Sequence, residues 1–309
     1  MKQTDVKLNS RIPEKQINLN FQKAKYKNAD EAVLFIHGAT FPSQLSSGFQ
    51  MNGISWADYL SEAGYDVFAL DFLGYGKSDR YDYMSDLGNE FVNSCNGKDL
   101  VKDIDIAIDY IFNKLIYNKI HLIGHSWGAT ISGYYATVFP DKIDKLILFA
   151  PIVQRSGLTS WQKPTTVYTD LSPSERINQF LSHIPDDCEM TLEDEIFTKW
   201  GNEWLKSDPS AKERFPHTIR FPSAWEKDLF ECWNGNCFFY PSKIKNSTLL
   251  IRGEWDIAFN EEEAHKVFSE IKNAPVKRYV LIDKSTHVLH LEKRRFHLYE
   301  EVELFLKSK

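Results

Sequence analysis

Apolar residues along the chain alternate between short continuous runs and longer stretches with helical spacing. The run at 32–36 has the length of a buried strand, and residues 56–63 follow with apolar positions at helical spacing. Gly64, a residue type common at helix ends, separates that helix from the next apolar run at 67–70. The order strand, helix, strand is typical of a parallel sheet, because its crossover connections are usually helices.

The same alternation continues through the first half of the chain and returns near its C-terminus. Further strands are predicted at 16–27, 119–123, 145–150, 247–251 and 278–282, and further helices at 99–117, 127–139, after Asn260 as N-cap, and at 291–306. This alternation predicts an α/β fold with a mostly parallel central sheet and helices on both faces.

The regular alternation is interrupted between the strands at 145–150 and 247–251. The intervening residues contain prolines, acidic clusters and helical fragments such as 173–181 and 192–205. We therefore predict a core formed by residues 1–150 and 246–309, with an inserted, mainly helical cap at 151–245. The sequence has no internal repeat and no Gly/Ser-rich linker, so independently folding domains are not expected.

Length and charge limit the possible classes of protein. A chain of 309 residues can bury a substantial core, and its net charge of −6 gives no reason to expect nucleic acid or an anionic membrane as partner. The polar N-terminus has no apolar run of the length that a signal peptide or membrane span needs, so we expect a cytoplasmic protein. No CxxC pair occurs, and all cysteines are expected to be reduced thiols: Cys95, Cys188, Cys232 and Cys237. The oligomeric state is not predicted.

Residues 124–128, with the sequence GHSWG, lie between the strand at 119–123 and the helix at 127–139. In a G-x-S-x-G turn the serine backbone is strained, and glycines flank it because side chains there would clash with neighbouring backbone. The turn holds the hydroxyl at the carboxyl edge of the sheet, near a helix N-terminus that favours developing negative charge. Ser126 is therefore the predicted nucleophile. The structural alternative is a buried glycine-rich turn with an incidental serine.

A serine hydroxyl needs a general base, and the base needs an acid that fixes its tautomer. Asp256 follows the strand at 247–251 on a loop at the same sheet edge and is the predicted acid, with Glu254 as the competing carboxylate. Of the nine histidines, His287 alone lies just after the last predicted strand, and it is the predicted base. His290, three residues further, is expected to be a surface or packing residue.

A tetrahedral intermediate also needs backbone N–H groups that stabilise its oxyanion. The N–H of Trp127 is one predicted donor. The second is expected from Ala39 or Thr40, in the small-residue turn after the strand at 32–36, and the sequence does not choose between them. We expect His37 to hold this loop by hydrogen bonds rather than to act on substrate, and His125 to be structural.

Together these motifs resemble the α/β-hydrolase family over residues 32–306, apart from the predicted cap. DFLGYGKS at 71–78 is similar to the family's turn after its fourth strand, and RGEWD at 252–256 to its acid loop. The resemblance implies a cofactor-free acyl-enzyme mechanism without a metal, acting on a small-molecule ester, lactone, thioester or amide. Serine at position 126 argues against the haloalkane dehalogenase and epoxide hydrolase branches, whose nucleophile is a carboxylate.

Short motifs also resemble individual branches of the family. The run SWG at 126–128 resembles proline iminopeptidases, but HGATF at 37–41 departs from their HGGPG loop, which puts peptidase activity in doubt. HGATFPS at 37–43, with GYGKS at 74–78, is similar to serine esterases that open the lactone ring of macrolide antibiotics. That similarity implies a macrolide lactone as substrate and a role in antibiotic resistance. A ligand receptor with vestigial hydrolysis is the alternative from another class.

Five of the eight tryptophans fall in the predicted cap. Large aromatic side chains there either pack the cap onto the core or line an apolar substrate pocket. The predicted pocket residues are His37, Phe41, Trp161, Trp200, Trp204, Trp225 and Trp233. An acidic stretch at 186–195 is expected to be a solvated face, and attraction of a cationic substrate is the alternative.

Overall fold

The structure is a computed structural model that describes residues 4–26, 29–84, 95–115, 117–155 and 162–308. Its strands are β1 Thr4–Asn9, β2 Gln16–Gln22, β3 Ala32–Ile36, β4 Asp66–Asp71, β5 Ile120–His125, β6 Ile143–Phe149, β7 Tyr168–Leu171, β8 Ile219–Pro222, β9 Ser247–Gly253 and β10 Lys277–Ile282. Its α-helices are α1 Trp56–Glu62, α2 Gly97–Leu115, α3 Trp127–Val138, α4 Pro173–Leu181, α5 Gly201–Lys206, α6 Ala224–Trp233, α7 Glu261–Glu270 and α8 Arg295–Lys307.

Eight strands form the central sheet in the order β1-β2-β4-β3-β5-β6-β9-β10. The pairs β1–β2 and β2–β4 are antiparallel, and all other pairs are parallel. Every residue of β3, β4 and β5 is buried, as expected of central strands covered by helices on both faces. The predicted α/β class with a mostly parallel sheet is confirmed.

Two helix starts illustrate how local sequence fixes the element boundaries. Asn260 caps α7, as predicted: its side chain accepts from the amide of Glu263, whose carboxylate accepts from the amide of Asn260. Ser55 and Asp58 form the same reciprocal box at the start of α1. In the part of the chain that the structure describes, no helix combines the length and the apolar character needed to cross a membrane.

Residues 151–245, called the inserted segment below, lie between β6 and β9. They contain helices, as predicted, but also an antiparallel pair of strands, β7 and β8, that the sequence pattern did not indicate. Two buried indoles fix this segment to the loop after β3. Trp200 Nε1 donates to the Leu45 carbonyl at 3.0 Å, and Trp204 Nε1 donates to the Thr40 carbonyl at 3.2 Å.

The prediction of reduced thiols is wrong for two of the four cysteines. Cys232 and Cys237 form a disulfide, whereas Cys95 and Cys188 are free. Helix α6 ends at Trp233, and Gly235 with φ of +89° turns the chain back, so that the two Cα atoms lie 3.8 Å apart. Disulfides are uncommon in the cytosol, so this disulfide gives no support to the predicted cytoplasmic location. That location stays a prediction.

We predict that Gly128→Ala strongly destabilises the fold. A Cβ added at this position would lie closer than 3.0 Å to the carbonyl oxygens of Ile36 and His37, which are backbone atoms with little freedom to move. The expected loss in free energy of unfolding is about 3 kcal/mol or more. Urea denaturation measures it.

Gly53→Ala is the matched control, because an added Cβ there meets nothing within 4 Å and only the φ of +82° is unfavourable. Its expected cost is about 1 kcal/mol. Equal losses in the two variants would contradict the close approach of the β3 loop to α3.

Candidate active site

Ser126 lies between the end of β5 and the start of α3, with φ of 54° and ψ of −123°. Its amide donates to the Phe149 carbonyl of the neighbouring strand at 2.8 Å. A Cβ added at Gly124 would lie 2.5 Å from the Ala129 Cα, and one at Gly128 would meet the loop after β3, which is why glycines flank this serine. The backbone thus holds the Ser126 side chain at the carboxyl edge of the sheet.

Ser126, His287 and Asp256 form an unbroken chain of hydrogen bonds. His287 Nε2 lies 2.9 Å from Ser126 Oγ, and His287 Nδ1 lies 2.8 Å from Asp256 Oδ2. The other carboxylate oxygen of Asp256 accepts from the amides of Ala258 and Phe259, at 2.9 and 3.0 Å. Both oxygens of the buried carboxylate are therefore occupied, and one of them is fixed on the histidine ring.

Glu254, the competing carboxylate, lies elsewhere. Its Oε2 accepts from the amide of Lys284 at 2.9 Å, and its side chain is exposed. The structure thus brings Asp256, and not Glu254, to His287.

Two buried histidines surround the base. His125 Nε2 lies 2.9 Å from the His287 carbonyl, and because a carbonyl only accepts, Nε2 must carry the proton. Burial lowers the pKa of His125 well below its ordinary value, and that of His290 to about 3. Both rings are therefore neutral. His290 packs against His125 and Phe41, in agreement with its predicted packing role.

The predicted oxyanion donors lie around Ser126. Trp127 is the first residue of α3, where backbone amides have no partner within the helix. Ala39 and Thr40 line the same cavity as Ser126. Burial raises the pKa of the nearby Tyr75 well above its ordinary value, and the Thr40 backbone opposes that rise. Thr40 also has φ of 76°, and Trp204 holds its carbonyl.

His37 fixes this loop, as the sequence predicts, and does not line the cavity. Its Nδ1 lies 2.6 Å from the Gly38 carbonyl, and its Nε2 accepts from the amide of Phe72 at 3.2 Å. Burial lowers the pKa of His37, so the ring remains neutral and can make both bonds. Its inclusion among the pocket residues is therefore corrected.

A cavity of about 500 Å³ opens on Ser126 and lies between the core and the inserted segment. Its lining residues include Phe41, Ile152, Leu171, Phe180, Phe221, Trp225, Leu229 and Trp233. Phe41, Trp225 and Trp233 thus lie where the sequence predicts them. Trp200 and Trp204 do not, because both are fully buried between the inserted segment and the core. Trp161 lies outside the described residues.

Two charged side chains in this cavity were not predicted. Arg176 from α4 packs over the ring of Phe180, and its guanidinium donates to Gln179 Oε1 at 2.6 Å. Glu226 from α6 accepts from the hydroxyl of Thr169 at 2.7 Å. Neither forms an ion pair with any residue in the described ranges. No motif marks them, because their importance depends on the fold of the inserted segment.

Asp228 is a further residue that sequence analysis missed. Its Oδ2 accepts from Trp127 Nε1 at 2.8 Å and from the amide of Gly97 at 2.7 Å. The carboxylate therefore joins α6 of the inserted segment to the start of α2 and to the residue after Ser126. Burial raises the pKa of Asp228 to about 7.

The acidic stretch at 186–195 lies outside the cavity lining. Glu193 forms an ion pair with the buried Arg295 of α8, and Glu195 accepts from the amide of Asn52 at 2.8 Å. Asp186, Asp187 and Glu189 are exposed. The contacts of this stretch thus connect the inserted segment to the core.

Comparison with known proteins identifies the family. A family model described as the alpha/beta hydrolase fold matches residues 31–294, and the chain therefore belongs to the α/β-hydrolase family. The 2-hydroxy-6-oxononadienedioate/2-hydroxy-6-oxononatrienedioate hydrolase of Escherichia coli (strain K12) is 34% identical over 119 residues. That match covers 38% of this chain and 35% of the relative, so it spans about a third of the relative's length.

Solved structures share the whole fold at low sequence identity. The thioesterase domain from the curacin biosynthetic pathway has a TM-score of 0.64 at 17% identity, with 99% of this chain and 100% of that chain covered. Est1E from Butyrivibrio proteoclasticus, bound to ferulic acid, has a TM-score of 0.61 at 17% identity, with 95% of each chain covered. A mutant of the meta-cleavage product hydrolase CumD from Pseudomonas fluorescens IP01 has a TM-score of 0.63 at 16% identity, with 97% of each covered.

We predict that Asp228→Asn removes a pH dependence from the stability of the fold. The folded protein keeps the Asp228 proton up to about pH 7, whereas the unfolded chain loses it near the ordinary value of 3.8. The unfolding free energy of the wild type should therefore fall between about pH 4 and pH 7, by up to about 4 kcal/mol, and stay low above pH 7.

Asparagine accepts the same two hydrogen bonds without ionising. The difference in unfolding free energy between the wild type and Asp228→Asn therefore reports the titration of Asp228 alone. Urea denaturation at pH 5 and pH 8 provides the measurement, with Asp186→Asn as an exposed control. If the wild type and Asp228→Asn lose the same stability over this interval, Asp228 does not titrate as described.

Proposed function

We propose that this protein is a serine hydrolase that cleaves a carboxylic ester or lactone through an acyl-enzyme intermediate. The observation that carries the proposal is the hydrogen-bond chain from Asp256 through His287 to Ser126, which ends at a hydroxyl on the wall of a cavity. A serine is activated when a histidine accepts its proton and a carboxylate fixes the histidine tautomer.

The geometry supports a specific course for the protons. Asp256 Oδ2 accepts the Nδ1 proton of His287, which leaves Nε2 free to accept the Ser126 proton as Oγ attacks the substrate carbonyl. His287 then gives that proton to the leaving alcohol. In the second half, water attacks the acyl carbon as His287 takes its proton. His287 then returns that proton to Ser126 Oγ as the bond between Oγ and the acyl carbon breaks and the carboxylic acid leaves.

The oxyanion of each tetrahedral intermediate needs two donors. We assign one to the amide of Trp127 and the other to an amide of the loop after β3. Trp127 directly follows the nucleophile at the start of α3, whose N-terminus favours negative charge. Ala39 and Thr40 both line the cavity with Ser126, so either amide of this loop can be the second donor.

The aromatic lining supports a largely apolar acyl or alcohol group. A cavity of about 500 Å³ falls within the ordinary range for small-molecule sites. A macrolide lactone is one substrate of this kind, and support for it comes only from the short motifs at 37–43 and 74–78. A panel of aliphatic esters, aryl esters, macrolactones and proline amides distinguishes these substrates.

We predict that Ser126→Ala lowers kcat on p-nitrophenyl butyrate by about 10⁶-fold and Asp256→Asn by about 10⁴-fold, with folding unchanged. The alanine removes the nucleophile, and the asparagine no longer holds the required histidine tautomer. Glu254→Gln is the matched control and should leave kcat unchanged. Equal losses in Asp256→Asn and Glu254→Gln would contradict the assignment of the acid.

Fluorophosphonate labelling separates an enzyme from a receptor on the same fold. An enzyme should label at Ser126 and also complete many turnovers on the butyrate. Labelling without turnover would favour a ligand receptor with vestigial hydrolysis.

Arg176 favours a second candidate, hydrolysis of a C–C bond in a substrate that carries a carboxylate. An arginine inside a cavity without an acidic partner is suited to bind a carboxylate of the substrate. Burial alone lowers the Arg176 pKa to about 10, which leaves the guanidinium charged at neutral pH. The partial relative in Escherichia coli is named for dioate substrates.

For this second candidate we predict that Arg176→Gln lowers kcat/KM on a 2-hydroxy-6-oxodienoate by about 10- to 100-fold, because a charge-assisted hydrogen bond is lost. Arg176→Lys keeps the charge and should retain part of the activity. Hydrolysis of the neutral p-nitrophenyl butyrate is the internal control and should be unaffected. A wild type that does not cleave the dienoate would contradict C–C hydrolysis and leave ester hydrolysis standing.

A further inference from the structure

Glu226 is a carboxylate on the wall of the cavity that contains Ser126, and it has no part in the hydrolytic mechanism. It is half-buried near the start of α6. Its Oε1 accepts from the hydroxyl of Thr169 at 2.7 Å, whereas its Oε2 accepts no hydrogen bond from the described residues. One carboxylate oxygen is therefore available to a group that enters the cavity.

The hydrogen-bond network behind Glu226 runs in one direction. Thr169 Oγ1 lies 2.9 Å from Ser223 Oγ and donates its only proton to Glu226. Ser223 must then be the donor to Thr169. The two hydroxyls thus direct their protons toward the carboxylate, which stabilises its ionised form.

Two basic side chains near this part of the inserted segment are paired with other acids. Arg220 pairs with Asp170, and Arg155 pairs with Glu263. Burial raises the Glu226 pKa and the Thr169 hydrogen bond lowers it, and no charged neighbour contributes to the shift. Glu226 and Arg176 line the same cavity but form no ion pair with each other.

An uncompensated carboxylate in a partly buried site gains most from a positively charged ligand. Aromatic rings share this cavity with Glu226, among them Trp225, whereas the Arg155 guanidinium already stacks on one face of Trp233. Aromatic faces attract alkylammonium groups, whereas they contribute nothing comparable to a neutral hydrogen-bond donor.

We propose that Glu226, held by Thr169, forms a subsite that binds a protonated amine on the substrate. The inference rests on the proposed function, because it makes the substrate an ester or lactone that also carries an alkylated amine. A substrate with that group would bind with the amine at Glu226 and the carbonyl at Ser126.

Two esters of matching shape test the subsite: 2-(dimethylamino)ethyl butyrate, protonated at neutral pH, and isoamyl butyrate, its neutral isostere. The wild type should prefer the amine ester, and Glu226→Gln should reduce that preference in kcat/KM by about 10- to 100-fold. Hydrolysis of isoamyl butyrate should be nearly unchanged. Glu262→Gln, an exposed site on α7 with the same change in net charge, should keep the preference.

An unchanged preference in Glu226→Gln would overturn the subsite while leaving the esterase proposal intact. Fluorophosphonate labelling of Ser126 at the wild-type rate shows that the variant is folded. If the wild type hydrolyses neither ester, the proposed function fails. The amine subsite is then tested by ligand binding instead of hydrolysis. The ether 2-(dimethylamino)ethyl butyl ether should then bind the wild type but not Glu226→Gln by calorimetry, and equal binding to both would overturn the subsite.

Discussion

Ser126 has φ of 54° and ψ of −123°, a backbone conformation that a residue with a side chain adopts only when its surroundings impose it. The surroundings impose it through close contact. Gly124 packs directly on α3, Gly128 packs on the carbonyls of the loop after β3, and the Ser126 amide is bonded to β6. A strand, a helix and two neighbouring segments meet at this residue, so the position of its hydroxyl follows from the packing of the core.

The other site residues reach the same place because the sheet is parallel. The carboxyl ends of β5, β9 and β10 lie at one edge, and the loops that follow them carry Ser126, Asp256 and His287. Neutral buried histidines support this arrangement, since His125 donates to the carbonyl of His287 and His290 fills the space behind it. The inserted segment then covers the edge and is fixed there by the indoles of Trp200 and Trp204.

Sequence analysis predicted the parallel sheet because its strands and helices have strong, distinct periodicities. It missed β1, an edge strand whose apolar residues are only Val6 and Leu8, and it missed the short strands β7 and β8. Residues that follow a strand end were placed well, since position in the chain fixes position at the sheet edge.

Residues of the inserted segment were placed poorly, because no periodicity distinguishes a tryptophan that anchors from one that lines a cavity. The sequence gives no reason to treat Trp204 and Trp225 differently. In the structure the indole of Trp204 donates to the Thr40 carbonyl, whereas Trp225 lines the cavity. Arg176, Glu226 and Asp228 are polar residues in amphipathic helices, where a solvated position is the ordinary expectation. Only the fold shows that each faces the cavity or the core.

Formation of a covalent intermediate on Ser126 is the central claim, and a rapid-quench experiment with peptide mass spectrometry tests it most directly. Mixing the protein with p-nitrophenyl butyrate and quenching in acid should yield a butyryl group on the peptide that contains Ser126. The adduct should form with the burst of p-nitrophenol and decay at the rate of turnover. Turnover without an acylated peptide, or acylation at another residue that keeps pace with turnover, would contradict the account.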